Sequence, residues 1–217
     1  DSEKKRSALR IKGFVPSFHE NIKNPSLLEF VAKNRQKCSD LFSDNGLLLN
    51  RYHSLLSYRE YREPLELGVW VPLPGSSATL DLHRLYLLGL GFQAQQGEPA
   101  AAVQGVKQVM EFWLAMANAD TSLLMKFHSF SALRSTLYLA AELASSPLIT
   151  PEDRNVLAQL LKFDTTRLQT TTVLQSESIW TERTMITFRM LAKNSHNPVD
   201  WLLLAWLKPN TMTNQQI

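Results

Sequence analysis

An all-α fold, with seven or eight helices in an irregular bundle or a short helix-hairpin stack, is what this sequence predicts. Three observations carry the prediction. Apolar residues recur at three- and four-residue spacing from Leu27 to Leu207. Helix-starting motifs stand at the head of several of these runs. Glycine and proline gather between the runs, where they separate helices and do not interrupt them.

Residues 1–24 read as an irregular basic segment, holding Lys4, Lys5, Arg6, Arg10 and Lys12 and broken by Gly13 and Pro16. A single helical domain then spans 25–209, and 210–217 is a polar tail. Ser26 and Glu29 have the spacing of a capping box. Behind them Leu27, Val31, Cys38, Leu41 and Phe42 form the inner face of a first helix. Asp44 is placed to cap a second, with Leu48, Tyr52, Leu55 and Leu56 inward. Residues 64–78, with Pro64, Gly68, Pro72, Pro74 and Gly75, form a long loop in which Trp70 is the apolar handle. From Thr79 to Gln96 a helix is apolar nearly all round, and Gly89 and Gly91 let a neighbour approach closely. Gly97-Glu98-Pro99 turns the chain, with Pro99 opening a helix whose Val103, Val106, Met110, Trp113 and Ala117 share a face. Asp120 is placed to cap a long central helix through Ala144. Thr150-Pro151-Glu152-Asp153 starts another, with Val156, Leu157, Leu160 and Leu161 inward. A more polar helix over 165–193 and a short one from Trp201 to Leu207 complete the set.

Composition excludes several classes. The hydrophobic share of 44% and the charged share of 20% are those of a globular protein. A net charge of +3 over 217 residues is too dilute for a dedicated nucleic-acid face, and the basic run at 4–12 reads as a solvated tail. One cysteine, Cys38, allows no internal disulfide and no thiolate zinc site, and its helical spacing makes it a small core residue. The apolar runs around Leu85–Phe92 and Leu202–Leu207 are too short to cross a bilayer, so no direct membrane insertion by these residues is expected.

Two resemblances add to this reading. Residues 83–117 resemble a tetratricopeptide hairpin, with an apolar first helix, the Gly97-Glu98-Pro99 turn, and Ala102, Val106 and Val109 on the returning helix. The combination Leu49-Asn50-Arg51-Tyr52, Tyr61-Arg62-Glu63-Pro64, His83-Arg84-Leu85-Tyr86 and Leu133-Arg134 is similar to an uncharacterised proteobacterial family whose members join an amino-terminal membrane anchor to a helical part. The likeness covers residues 38–210. It implies an envelope location on the periplasmic side of the inner membrane and implies no activity. The basic residues at 4–12 point instead to a cytoplasmic face.

No motif carries chemistry outright. The histidines at 19, 53, 83, 128 and 196 show neither an i,i+4 pair nor a zinc-protease pattern, and no phosphate loop or nucleophile elbow is present. No catalytic residue, cofactor or metal is therefore expected. Arg51-Tyr52-His53 to Arg62 interleaves aromatics with cations, as nucleic-acid binders do, yet helical spacing sends Tyr52 inward with its leucines. The long helix through Ala144 is more informative, because it carries Lys126, His128, Arg134 and Glu142. Arg134, flanked by Leu133 and Leu137, is expected to be largely buried, and charges on a central helix must be paired or face a cleft. Lys126 and Arg134, about 80° apart around the axis, either bridge an internal Glu142, Glu177 or Glu182, or form with His128 and Trp70 a cationic cleft for an anionic group. The expected function is a non-catalytic scaffold domain docking a protein or peptide partner, by analogy with helix-hairpin stacks. The alternative is a small-molecule binder or enzyme working through the Lys126/Arg134 cleft.

Overall fold

Helix formation in the computed structural model follows the apolar periodicity closely. It describes residues 11–13, 15, 26–58, 60, 76–119 and 123–162. Among these residues there are seven helices and no strand: α1 (Leu27–Lys33), α2 (Arg35–Asp44), α3 (Gly46–Leu55), α4 (Ser76–Gln95), α5 (Pro99–Asn118), α6 (Leu123–Ala144) and α7 (Pro151–Leu161). The helices expected over 165–193 and 201–207, the cap at Asp120 and the loop residue Trp70 lie outside the described residues.

The first expected helix is two. Asn34 leaves helical geometry at φ −126°, ψ 34°, and its side-chain amide donates to the Phe30 carbonyl at 2.9 Å. A short amide that competes with the backbone for its own carbonyls is enough to bend the chain there. The next break also belongs to an asparagine, not to Asp44, which ends α2. Asn45 stands at the start of α3 but makes no capping bond. Its buried amide instead accepts from the Lys12 N–H and donates to the Lys12 and Leu41 carbonyls, each at 2.8 Å. The backbone at residue 12 is thus docked onto the domain while the Lys12 side chain stays in solvent.

α4 begins at Ser76, three residues ahead of the expected Thr79, since Ser76, Ser77 and Ala78 contain no helix breaker. It ends in a Schellman turn. Gly97 takes φ 94°, open to glycine at no steric cost, and Glu98 N–H reaches the Gln93 carbonyl at 3.1 Å. Pro99 then sits in the first turn of α5. α4, α5 and α6 pack against one another as a three-helix centre; α1, α2 and α3 cover α4, and α7 closes on α5 and α6. α1 comes so near α4 that a Cβ on Gly91 would collide with Leu27. The shared core includes Leu27, Val31, Cys38, Leu88, Val106, Met110, Leu139, Leu143 and Leu157. Leu55 and Leu161, expected inward, are exposed instead; each is the last residue of its helix and has rotated past the packed face. Among the described residues no helix is long and apolar enough to cross a membrane.

Candidate docking groove

The charged side chains of α6 go to three different places. Lys126 is 2% exposed, and its ammonium donates to the Ala117 carbonyl at 2.6 Å. It therefore caps the last turn of α5, where carbonyls lack helix partners and the helix dipole favours a cation. Arg134, expected to be largely buried, is exposed, with its guanidinium 5.6 Å from the centre of the Tyr138 ring. It belongs to the solvent stripe Ser131, Arg134, Tyr138, Ala141 and Ser145. His128 is half-buried, and its Nδ1 is a buried atom with no hydrogen-bond partner among the described residues. Lys126 and Arg134 are eight residues apart, or about 12 Å along the helix. One faces a helix end and the other faces solvent.

Glu142, weighed from sequence as an internal partner for these cations, closes the amino end of α1. Its carboxylate accepts the Ser26 hydroxyl at 2.7 Å, Leu27 N–H at 3.1 Å and Leu28 N–H at 3.0 Å. Half of the expected capping box forms, with Glu29 N–H donating to Ser26 Oγ at 3.3 Å. The other half does not, because the Glu29 carboxylate pairs with Lys33. Two oxygens arriving from α6 satisfy the first-turn donors and place negative charge at the positive end of the helix. Cations serve the carboxyl ends of α4 and α6 as Lys126 serves that of α5. Arg35 donates to the Gln95 carbonyl at the end of α4, at 3.4 Å, and Arg154 to the Ala144 carbonyl at the end of α6, at 2.9 Å.

A buried polar network ties four helices together. His83 on α4 is fully buried, and its Nε2 lies 3.1 Å from the Ala132 carbonyl of α6. A carbonyl only accepts, so Nε2 carries the proton and Nδ1 is left as an acceptor. Tyr52 of α3 donates its hydroxyl to Nδ1 at 2.8 Å, and Trp113 of α5 donates its indole N–H to the Tyr52 oxygen at 3.0 Å. The Ser135 hydroxyl lies 3.0 Å from Nε2. Burial pushes His83 down to about 3, against the pull of the Ala132 carbonyl and with help from the Arg84 charge. Burial likewise raises Tyr52 well above the usual phenol range, while the Trp113 N–H pulls the other way. These groups are neutral and sealed from solvent, so their work is orientation.

Among the described residues an open surface groove lies between α1 and α6. It has a volume of about 630 Å³ and is lined on one side by Ser26, Glu29 and Ala32 and on the other by Tyr138, Ala141 and Glu142. Ala32 and Ala141 face it from either side, and Tyr138, 40% exposed, is its one aromatic lining residue. None of the candidate cleft residues Lys126, His128 and Arg134 lines it. Of its residues, sequence reasoning singled out Ser26, Glu29 and Glu142, each for another role. The available signal was the i, i+3, i+7 series Tyr138, Ala141, Ser145, one aromatic and two small residues in line on an otherwise largely apolar helix. Among the described residues no group of three His, Cys, Asp or Glu side chains could hold a metal ion. Comparison of the chain with protein-family models, curated proteins and solved structures finds no match to any of them.

Proposed function

We propose that this domain is a protein-interaction module that receives a peptide segment of a partner in the groove between α1 and α6. The observation that carries the reading is the groove itself. It is open to solvent, has a small alanine on each side (Ala32 and Ala141) and includes an exposed tyrosine, a residue well suited to contact surfaces. Both walls are helices held by the core, with α1 pinned through Glu142, so the surface is rigid before a partner arrives. The reading of a small-molecule or catalytic cleft around Lys126 and Arg134 has less support. The Lys126 ammonium is committed to a helix carbonyl, and Arg134 lies on the Tyr138 ring.

The test places a photo-crosslinking amino acid at Ala32, which is exposed in the groove, and at Gln159, exposed on α7, in the native cell. A discrete adduct from position 32, mapped to one peptide segment and abolished by Ala141→Arg, is expected. Identical adducts from both positions, or an adduct indifferent to Ala141→Arg, would defeat the proposal.

A further inference from the structure

The junction of α2 and α3 is the dipeptide Asn45-Gly46. An asparagine side chain is most open to attack by the next backbone nitrogen when glycine follows, because no Cβ obstructs the approach. We infer that Asn45 is a site of spontaneous deamidation, kept unreacted while the backbone at residue 12 is docked on it, and that its conversion releases that backbone. In the reaction the Gly46 nitrogen gives its proton to water and bonds to Asn45 Cγ. The Cγ–Nδ2 bond breaks and Nδ2 leaves as ammonia, which closes a cyclic imide. Water then opens the imide at either carbonyl, giving aspartate or isoaspartate.

Nothing in the packing calls for glycine at 46. Among the described residues only Gly13 and Gly97 take positive φ, and a Cβ on Gly46 would meet no atom within 4 Å. Glycine is also a poor helix former. What it supplies is an unhindered nitrogen, and as the first residue of α3 its N–H stands ahead of the helix's own hydrogen-bond ladder. The docked state restrains both reacting groups. Asn45 is 2% exposed, and its side chain is held by the Lys12 N–H and by the Lys12 and Leu41 carbonyls. Its ψ of 14° turns the Gly46 nitrogen toward the Asn45 nitrogen and away from the side chain, and Leu49 N–H holds the Asn45 carbonyl at 3.0 Å. Deamidation therefore proceeds from the state in which residue 12 has lifted. The product cannot return to the old arrangement. A carboxylate has no proton to give the Lys12 and Leu41 carbonyls and sets a negative charge against both. Gly13 keeps the segment seated before that. Its φ is 91°, and a Cβ there would stand 3.0 Å from Leu41 Cδ1.

The test incubates the full chain in heavy-oxygen water and follows the tryptic peptide Cys38–Arg51 by mass spectrometry, with fragmentation to place the label at Asn45. Wild type is expected to convert readily in urea and slowly when folded. Gly46→Ala should suppress conversion in urea. Gly13→Ala, folded by circular dichroism, should convert about fivefold to thirtyfold faster than folded wild type, the strain of a side chain at positive φ expressed as an open population. Asn45→Asp, which imitates the product, should be cut by trypsin after Lys12 about tenfold faster than wild type. No conversion in urea overturns the site. Equal rates in folded and unfolded wild type overturn the protection by docking, and that comparison decides even if Gly13→Ala fails to fold. A folded Gly13→Ala that converts no faster overturns it as well. Unchanged cleavage after Lys12 in Asn45→Asp overturns the release.

Discussion

At position 83 a histidine fills a place on the face of α4 that continues as Leu87, Leu90 and Ala94, all buried. It stays neutral there because burial lowers it to about 3, against 6.5 in the unfolded chain. Between those values the unfolded chain binds a proton that the folded chain refuses. Stability is therefore fully present above about pH 6.5 and falls on acidification, by up to about 1.4 kcal/mol per pH unit. Urea melts from neutral to mildly acid pH should show this slope in the wild type and lose it in His83→Gln; an unchanged slope in the variant would place the titration elsewhere. Tyr52→Phe should be milder, about 1 kcal/mol, because the Trp113 N–H keeps His83 Nδ1 within 3.2 Å as an alternative acceptor. For the two cations of α6 the same melts should differ sharply. Lys126→Met removes a buried cap and should cost about 1–3 kcal/mol, while Arg134→Met should stay within about 0.5 kcal/mol. The burial expected for Arg134 came from its neighbours Leu133 and Leu137, which are close in sequence. Around the helix it falls instead among Ser131, Tyr138, Ala141 and Ser145. Adjacency misled where angle decides.

Element by element, what is local was legible and what is distant was not. The face of α5 from Val103 to Ala117 is buried as its spacing demands, and Thr150 caps α7 by accepting the Asp153 N–H at 3.1 Å. Both are patterns contained within one helix. The partner of the α1 start lies 116 residues away from Ser26 in α6, and nothing in either segment's periodicity names the other. The same holds for His83, Tyr52 and Trp113, whose polar atoms each require a partner that only packing supplies. Ser26, Glu29 and Glu142 were visible as residues, but the groove they share required α1 to lie across α6. Glu142→Ala should cost about 1–2 kcal/mol, the range of a lost helix cap, and Glu142→Gln less, since an amide oxygen still accepts. Hydrogen exchange should quicken at Leu27 and Leu28 and remain unchanged within α5. Uniform acceleration across both helices would mean that Glu142 supports the whole bundle and not one helix end.

At the scale of the molecule, three mutually packed helices carry a layer of three shorter ones on α4 and a seventh against α5 and α6. The groove between α1 and α6 lies where the covering layer meets the centre, so on the proposed docking role partner binding and the seating of α1 are coupled by position. The chain also contains its own clock for that seating. Cys38 is the single cysteine of the sequence, sits on α2 in the covering layer, and is 1% exposed, with burial pushing its thiol above the usual range. An aromatic disulfide reagent can reach it only when the layer lifts, so the labelling rate counts openings that no equilibrium spectrum records. Labelling should be slow in the wild type and faster in Glu142→Ala, even under conditions where both proteins are folded. Labelling as fast as that of a free thiol would mean that the layer spends its time ajar. A graded response would turn one buried sulfur into a measure of how often the domain breathes, and of whether a peptide in the groove holds it shut.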